Sequence, residues 1–272
     1  MPMPAKKQQG MSKQEALSRI GDLEDPAYIE HQETYVLAVK AMNALPEDHE
    51  VQAKGCWGLA LGAVSHSRYI LAAGGAQAVI AAMTAFLSES WAAGGMRGGK
   101  LTATQLRGWG GGQGMGHCEN FKDDRLQAEA CETLRYLAEK KDGQQIILDA
   151  GGIKAILAAA EAHGQDEQGR VPQEALGALT KLAARDAARV LDAGGLDQVL
   201  RVADLFPSYS WVQVWCCQAM KEFSLHDHRR IEAVEGYDKI QEIMGAMKKE
   251  EAVQLFGREA MLTKPVVLSG SE

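Results

Sequence analysis

The sequence predicts an all-α fold, a solenoid of three-helix repeats. Two observations carry that prediction. First, one phrase returns along the chain: a short apolar run, Ala-Gly-Gly, then a longer apolar-periodic run. It stands at Ile70–Phe86, Ile147–Val171 and Val190–Val212, and in a worn form at Ile231–Met247. Second, a further phrase stacks with it: VQAKGCWGL from Val51, LQAEACETL from Leu126, VPQEALGAL from Val171, VQVWCCQAM from Val212 and VQLFGREAM from Val253. A phrase recurring at a near-fixed period is the signature of repeat architectures, in which no unit buries its apolar face alone.

Taken in order, Ser12-Lys13-Gln14-Glu15 reads as a capping box, the Ser and Glu side chains each covering a free backbone N–H. The helix that follows carries Ala16, Leu17, Ile20 and Leu23 on one face, and Pro26 breaks it. A second helix is expected from about Gln32 to Leu45, stopped by Pro46. Val51 then opens the first full copy of the second phrase, into which KQEALSRI from Lys13 also fits.

In that frame one column holds Ala16, Gly55, Ala130, Ala175, Cys216 and Gly257, all small. The column four residues on holds Ile20, Leu59, Leu134, Leu179, Met220 and Met261, all large and apolar. Small residues let helices approach closely, and the large residue one turn later fills the core. The small column repeats at intervals of 39, 75, 45, 41 and 41 residues, so one interval holds a normal step plus an insertion of about 34. Each unit is then a short helix ending at Gly-Gly, a longer helix, a loop and a third helix. Glycines suit the bend because they take positive φ at a helix end.

At this point the chain resembles the armadillo repeat family, as a member unlike the importins. The resemblance covers roughly Ser12–Lys264 and is carried by Ala73-Gly74-Gly75, Ala150-Gly151-Gly152 and Ala193-Gly194-Gly195. The two-helix HEAT repeat, which lacks the short Gly-terminated helix, is the second choice. The resemblance implies a right-handed α-solenoid of armadillo-like three-helix repeats over 12–264, flanked by tails at 1–11 and 265–272. It also implies a concave groove, lined by third helices, that takes an extended peptide or a helix. In the importin-α branch the third helix carries a Trp and, four residues on, an Asn. The matching pairs here are Trp57 and Leu61, Glu132 and Tyr136, Gly177 and Lys181, Gln218 and Glu222, Glu259 and Thr263. Only Trp57 agrees, so that branch's recognition mode is not carried over. Trp57 and Tyr136 are expected to supply aromatic contact area. Glu132, Glu222 and Glu259, set against Lys181, are expected to favour partners with basic segments. The bland alternative is that these residues form a solvated helix face.

The insertion, 92–124, departs from the repeat. Ten of the 23 residues from Gly94 to Gly116 are glycine. It reads as a flexible loop, as a partner-binding loop anchored by Trp109, or as an Arg-Gly-Gly element that touches single-stranded RNA. Gly94–Lys100 fits a phosphate-loop spacing, but Leu101 stands where Mg²⁺ needs Ser or Thr and no strand precedes it.

The remaining composition narrows the function. Net charge is −7 over 272 residues, which speaks against general nucleic-acid binding. No apolar run approaches the ~20 residues of a membrane span, and Met1–Gly10 has no apolar core of a signal peptide. The five cysteines show no Cys-x-x-Cys spacing, so a reduced, cytoplasmic setting is expected, with no cofactor and no metal. Cys56, Cys131 and Cys217 share a column and read as buried small hydrophobes; Cys216-Cys217 with His226 and His228 read as packed and loop residues. No catalytic constellation is visible. The expected function is a non-enzymatic protein-interaction scaffold or adaptor. The alternative is a structural part of a cytoskeletal, axonemal or ciliary assembly, and RNA binding through the insertion is a third.

Overall fold

The computed structural model describes residues 11–24, 28, 30–87, 122–164 and 168–265. Within them the chain is all-α, with no strand. Helix α1 spans Lys13–Gly21, followed by a 3₁₀ turn at Asp22–Glu24. Then come α2 (Gln32–Ala44), α3 (His49–Ala72), α4 (Gly75–Ala85), α5 (Lys122–Leu137), α6 (Lys141–Asp149), α7 (Gly152–Ala162), α8 (Arg170–Asp192), α9 (Gly195–Leu205), α10 (Ser210–Ala233), α11 (Gly236–Ala246) and α12 (Glu251–Met261).

The small column places these helices. The principal contacts of α3, α5, α8, α10 and α12 run in chain order, each against the next, with α1 against α3 at the start. These are the third helices of the sequence frame. Each packs on the second helix of its own unit, the pairs being α2 with α3, α4 with α5, α7 with α8, α9 with α10, and α11 with α12. A Cβ on Gly55 would stand 2.5 Å from the Met42 sulfur of α2, and one on Gly257 would stand 2.5 Å from Met244 of α11. The small column is therefore where third and second helices touch. In the column four residues on, Ile20, Leu59, Leu134, Leu179 and Met220 are buried, whereas Met261 in the last helix is half-buried.

The Gly-Gly bends are as the sequence predicts. Gly151, at φ +80°, caps α7 in the left-handed region, and Gly74 and Gly194 do the same for α4 and α9. The second glycine answers a different demand. A Cβ on Gly152 would run into Ile147 Cγ2 and stand 2.9 Å from the Ile147 carbonyl oxygen. In the worn copy Glu235 takes the left-handed position, at φ +55°. Its side chain is exposed, so Glu235→Gly should relieve strain without losing packing and raise stability by about 0.5–1 kcal/mol. A shift of the urea midpoint to higher concentration at unchanged slope would show it; a shift to lower concentration would contradict it.

Three details differ from expectation. Ser12 accepts from the Glu15 N–H (3.2 Å), but the Glu15 carboxylate turns to Arg19 (2.7 Å), so only half of the capping box forms. The third helix and the short helix after it are continuous in α3, α8 and α10. Kinks fall at His66, Asp186 and Asp227, all 11 residues past the small column. At two of these kinks the aspartate starts the short helix, Asp186 accepting from Arg189 N–H (3.1 Å) and Asp227 from Arg230 N–H (3.4 Å). Finally, α5 already begins at Lys122, inside the span assigned to the insertion.

A feature not anticipated from the sequence closes the second helices. Three residues before the small column stand Gln52, Gln127, Gln213 and Gln254, with Pro172 in the remaining unit. The carboxamide nitrogens donate to the last carbonyls of the preceding helix: Gln52 to Met42 (2.8 Å) and Leu45 (2.9 Å), Gln127 to Met83 (3.0 Å), Gln213 to Ala203 and Phe206 (both 2.9 Å), Gln254 to Met244 (2.8 Å) and Met247 (3.2 Å). A helix end leaves four carbonyls without intrahelical donors, and here the next helix supplies them.

Candidate functional site: a strip along the third helices

The third helices present side chains one residue before the small column, and two and six residues after it, at helical spacing along one face. In α3 this face carries the half-buried Trp57 and the exposed Leu61. Arg125, from the first turn of α5, lies with its Cζ 5.5 Å from the Trp57 ring centre. Along this face the two units thus meet through a cation beside an aromatic ring.

The centre of the strip is a chain of charges across α5 and α8. Glu129 and Glu174, one residue before the small column, are only 4% and 6% exposed. Arg170 reaches Glu129 (3.0 Å) and Glu132 (3.1 Å). Arg135 Nε donates to Glu174 (2.6 Å), while its Cζ lies 4.0 Å from the Tyr136 ring centre and 6.0 Å from that of Trp215. Lys181 Nζ lies 5.9 Å from the Trp215 ring centre. Gly177 makes this crowding possible, since a Cβ there would strike Arg135 Cδ and stand 3.1 Å from Trp215. Burial, and then the Glu174 and Glu129 carboxylates, push Glu132 above the ordinary carboxylate range, while Arg170 pulls it back.

The strip continues in α10 and α12. Lys221 pairs with Glu259 (3.0 Å). Gln218 and Glu222 are half-buried and make no hydrogen bond or ion pair among the described residues. Trp211, one turn before Trp215, is 60% exposed.

The sequence expectations thus fall into three groups. Trp57, Leu61, Glu132, Tyr136, Lys181, Gln218, Glu222 and Glu259 do share the third helices, five of which pack in order. Glu132 and Glu259, expected to face a ligand, are engaged by Arg170 and Lys221, which leaves Glu222 as the unengaged glutamate of the three. Trp109 lies outside the described residues. Sequence reasoning missed Arg125, Arg135, Arg170, Glu129, Glu174, Trp211 and Trp215. Several stood inside the aligned phrases, in columns to which no role was given.

The four described cysteines are buried and free. Burial pushes the Cys56 and Cys217 thiols up to about 12, which keeps them protonated and unreactive at neutral pH. Among the described residues no cluster of three or more His, Cys, Asp or Glu could hold a metal ion, and no helix is long and apolar enough to cross a membrane. No family model, curated protein or solved structure matches this chain.

Proposed function

We propose that the chain is a right-handed α-solenoid of armadillo-like repeats that works as a non-enzymatic protein-interaction scaffold, its ligand a peptide or helix laid along the third-helix strip. The ordered packing of α3, α5, α8, α10 and α12 supports the solenoid, because each unit completes its core only with its neighbours. The observation that carries the binding role is the aromatic series Trp57, Tyr136, Trp215 and Trp211. These rings remain partly open on a surface whose floor is fixed by ion pairs of the buried Glu174 and Glu129 carboxylates. Large rings held rigidly beside charged groups are the side chains that dominate binding energy.

The ligand is a protein segment with apolar side chains to cover these rings and a Lys or Arg for Glu222. Most other charges of the strip are already paired, so they set register and exclude wrong partners more than they add affinity. Partners recovered after crosslinking in cells would be titrated against the wild-type chain and against Trp57→Ala, Tyr136→Ala and Glu222→Lys. Each substitution is expected to weaken binding by about thirtyfold, roughly the smallest loss that marks an interface hot spot, measured on folded protein at a temperature below the melt of Tyr136→Ala, whose ring packs against the core. Lys154→Glu, on the exposed side of α7, is expected to bind normally. The reverse pattern would refute the groove.

A further inference from the structure

The two ends of the helix ladder are built differently. In each unit the residue just after the small column faces the following unit. Cys56, Cys131, Leu176 and Cys217 are fully buried there, but Arg258 in α12 is exposed. The position five after the small column faces the same way, as Thr180 shows by donating to the Trp215 carbonyl of α10 (3.5 Å). That position in the last unit is Leu262, 85% exposed. Two before the small column, Ala128 and Val214 are 1% exposed and Ala53 and Gln173 are half-buried, whereas Leu255 is 51% exposed. The last unit therefore shows solvent a Leu-Arg-Leu face whose counterparts in earlier units are buried or half-buried.

The first unit is closed instead. Three after the small column, the position facing the preceding unit holds Gly58, Thr133, Ala178, Ala219 and Ala260, all small and buried. Thr133 marks the direction by donating to the Cys56 carbonyl of α3 (3.4 Å). In α1 that position is Arg19, half-exposed and paired with Glu15. A long charged side chain stands where stacking needs a small one, so another copy's C-terminal face does not fit on α1. Two C-terminal faces set together would bring like-charged Arg258 side chains into one apolar contact.

We propose that this C-terminal face, Leu255, Arg258 and Leu262, docks one amphipathic helix of a partner protein, which extends the ladder by one helix. The interior contacts define its chemistry. It carries a small residue where Ala178 stands in α8, and apolar neighbours for the two leucines. It also carries a carboxylate for Arg258, which now donates to the Gln254 carbonyl (2.9 Å) and meets no carboxylate among the described residues. In the interior, Arg135 is met by Glu174 of the next helix (2.6 Å). Arg258 sits one turn nearer its helix N-terminus than Arg135 does, so the partner carboxylate also lies one turn earlier. The inference rests on the contact ladder, independently of the strip.

A probe can be taken from the chain itself. The peptide of residues 170–185, with Arg170→Glu to supply the carboxylate and Glu174→Leu to meet Leu262, is labelled with a fluorophore and titrated with the full chain. Saturable anisotropy is expected, at least tenfold weaker with Leu255→Glu/Leu262→Glu. It should also be at least tenfold weaker with Arg258→Glu, and recover when the peptide carries Arg170→Lys instead. Failure of the wild-type chain to bind, or equal binding by the double variant, would overturn the proposal. So would a dimer in sedimentation that the double variant dissolves, since the occupant would then be a second copy. Loss of peptide binding on deletion of residues 266–272 would overturn it as well.

Discussion

Gln213→Glu is expected to lower stability by about 3 kcal/mol or more, read as a large drop in the denaturation midpoint. Gln213 is 1% exposed, and its carboxamide nitrogen donates to the carbonyls of Ala203 and Phe206, both at 2.9 Å. A carboxylate in the same place has no donor. Each orphaned buried carbonyl costs about 1–3 kcal/mol, and the new charge lies in the interface between α9 and α10 with no cation described at either end of those bonds. The side chain has the same shape, so packing loss is not the cause. Gln254→Glu should cost less, because Gln254 is only half-buried and water can reach its carbonyls. Equal effects at the two sites would mean that burial of the capped helix end is not what matters.

Arg135→Ala is expected to cost about 3–5 kcal/mol, the usual result of leaving one member of a buried pair without its partner. The Arg135 and Glu174 side chains are 14% and 7% exposed, and their contact is 2.6 Å. Removing the arginine leaves the Glu174 carboxylate with Gln173 (3.0 Å) but no cation. It also uncovers the Tyr136 and Trp215 faces. The double variant Arg135→Met/Glu174→Leu should lose much less than the single one, since two apolar side chains need no partners. Thermal melts of the cycle made by the wild type, Arg135→Met, Glu174→Leu and the double variant test this. Additive losses would mean that the ion pair is not coupled.

The ion pairs that join neighbouring units elsewhere are weaker contributors. Arg201 reaches Glu161 (3.6 Å), Arg230 reaches Asp192 (2.8 Å), and Lys239 reaches Asp204 (2.8 Å), but at least one member of each pair is well exposed. Exposed pairs are worth about 0–1 kcal/mol. They set register between units more than they hold them together.

Much of the fold was legible because its causes are periodic in the sequence. The small column forces helices to touch at one place in each unit, so the intervals of 39 to 45 residues show through. Gly74, Gly151 and Gly194 were legible because a left-handed bend leaves few other choices. The glutamine column was harder to read. Its partners are backbone carbonyls, seven to ten residues back in three units and 44 back for Gln127, and a carbonyl leaves no mark in the sequence. The strip was half legible. The columns two and six past the small residue were read, but the Arg135–Glu174 and Arg170–Glu132 contacts join residues 38 or 39 positions apart in different columns. Only the tilt and spacing of the helices decide which columns meet. Trp211 precedes the repeated phrase and therefore fell outside the frame.

The strip and the exposed end both depend on the third helices following one another in a line. Spin labels on bio-orthogonal side chains at positions 61, 181 and 263, each six past the small column, test it by pulsed electron resonance. Neighbouring helices lie roughly 8–10 Å apart, so the 61–181 pair spans two steps, about 20 Å, and the 61–263 pair four steps, about 40 Å. A 61–263 distance well beyond the 61–181 distance is the predicted result. A 61–263 distance equal to or shorter than the 61–181 distance would mean that the helices close into a bundle, with neither a linear strip nor an open end.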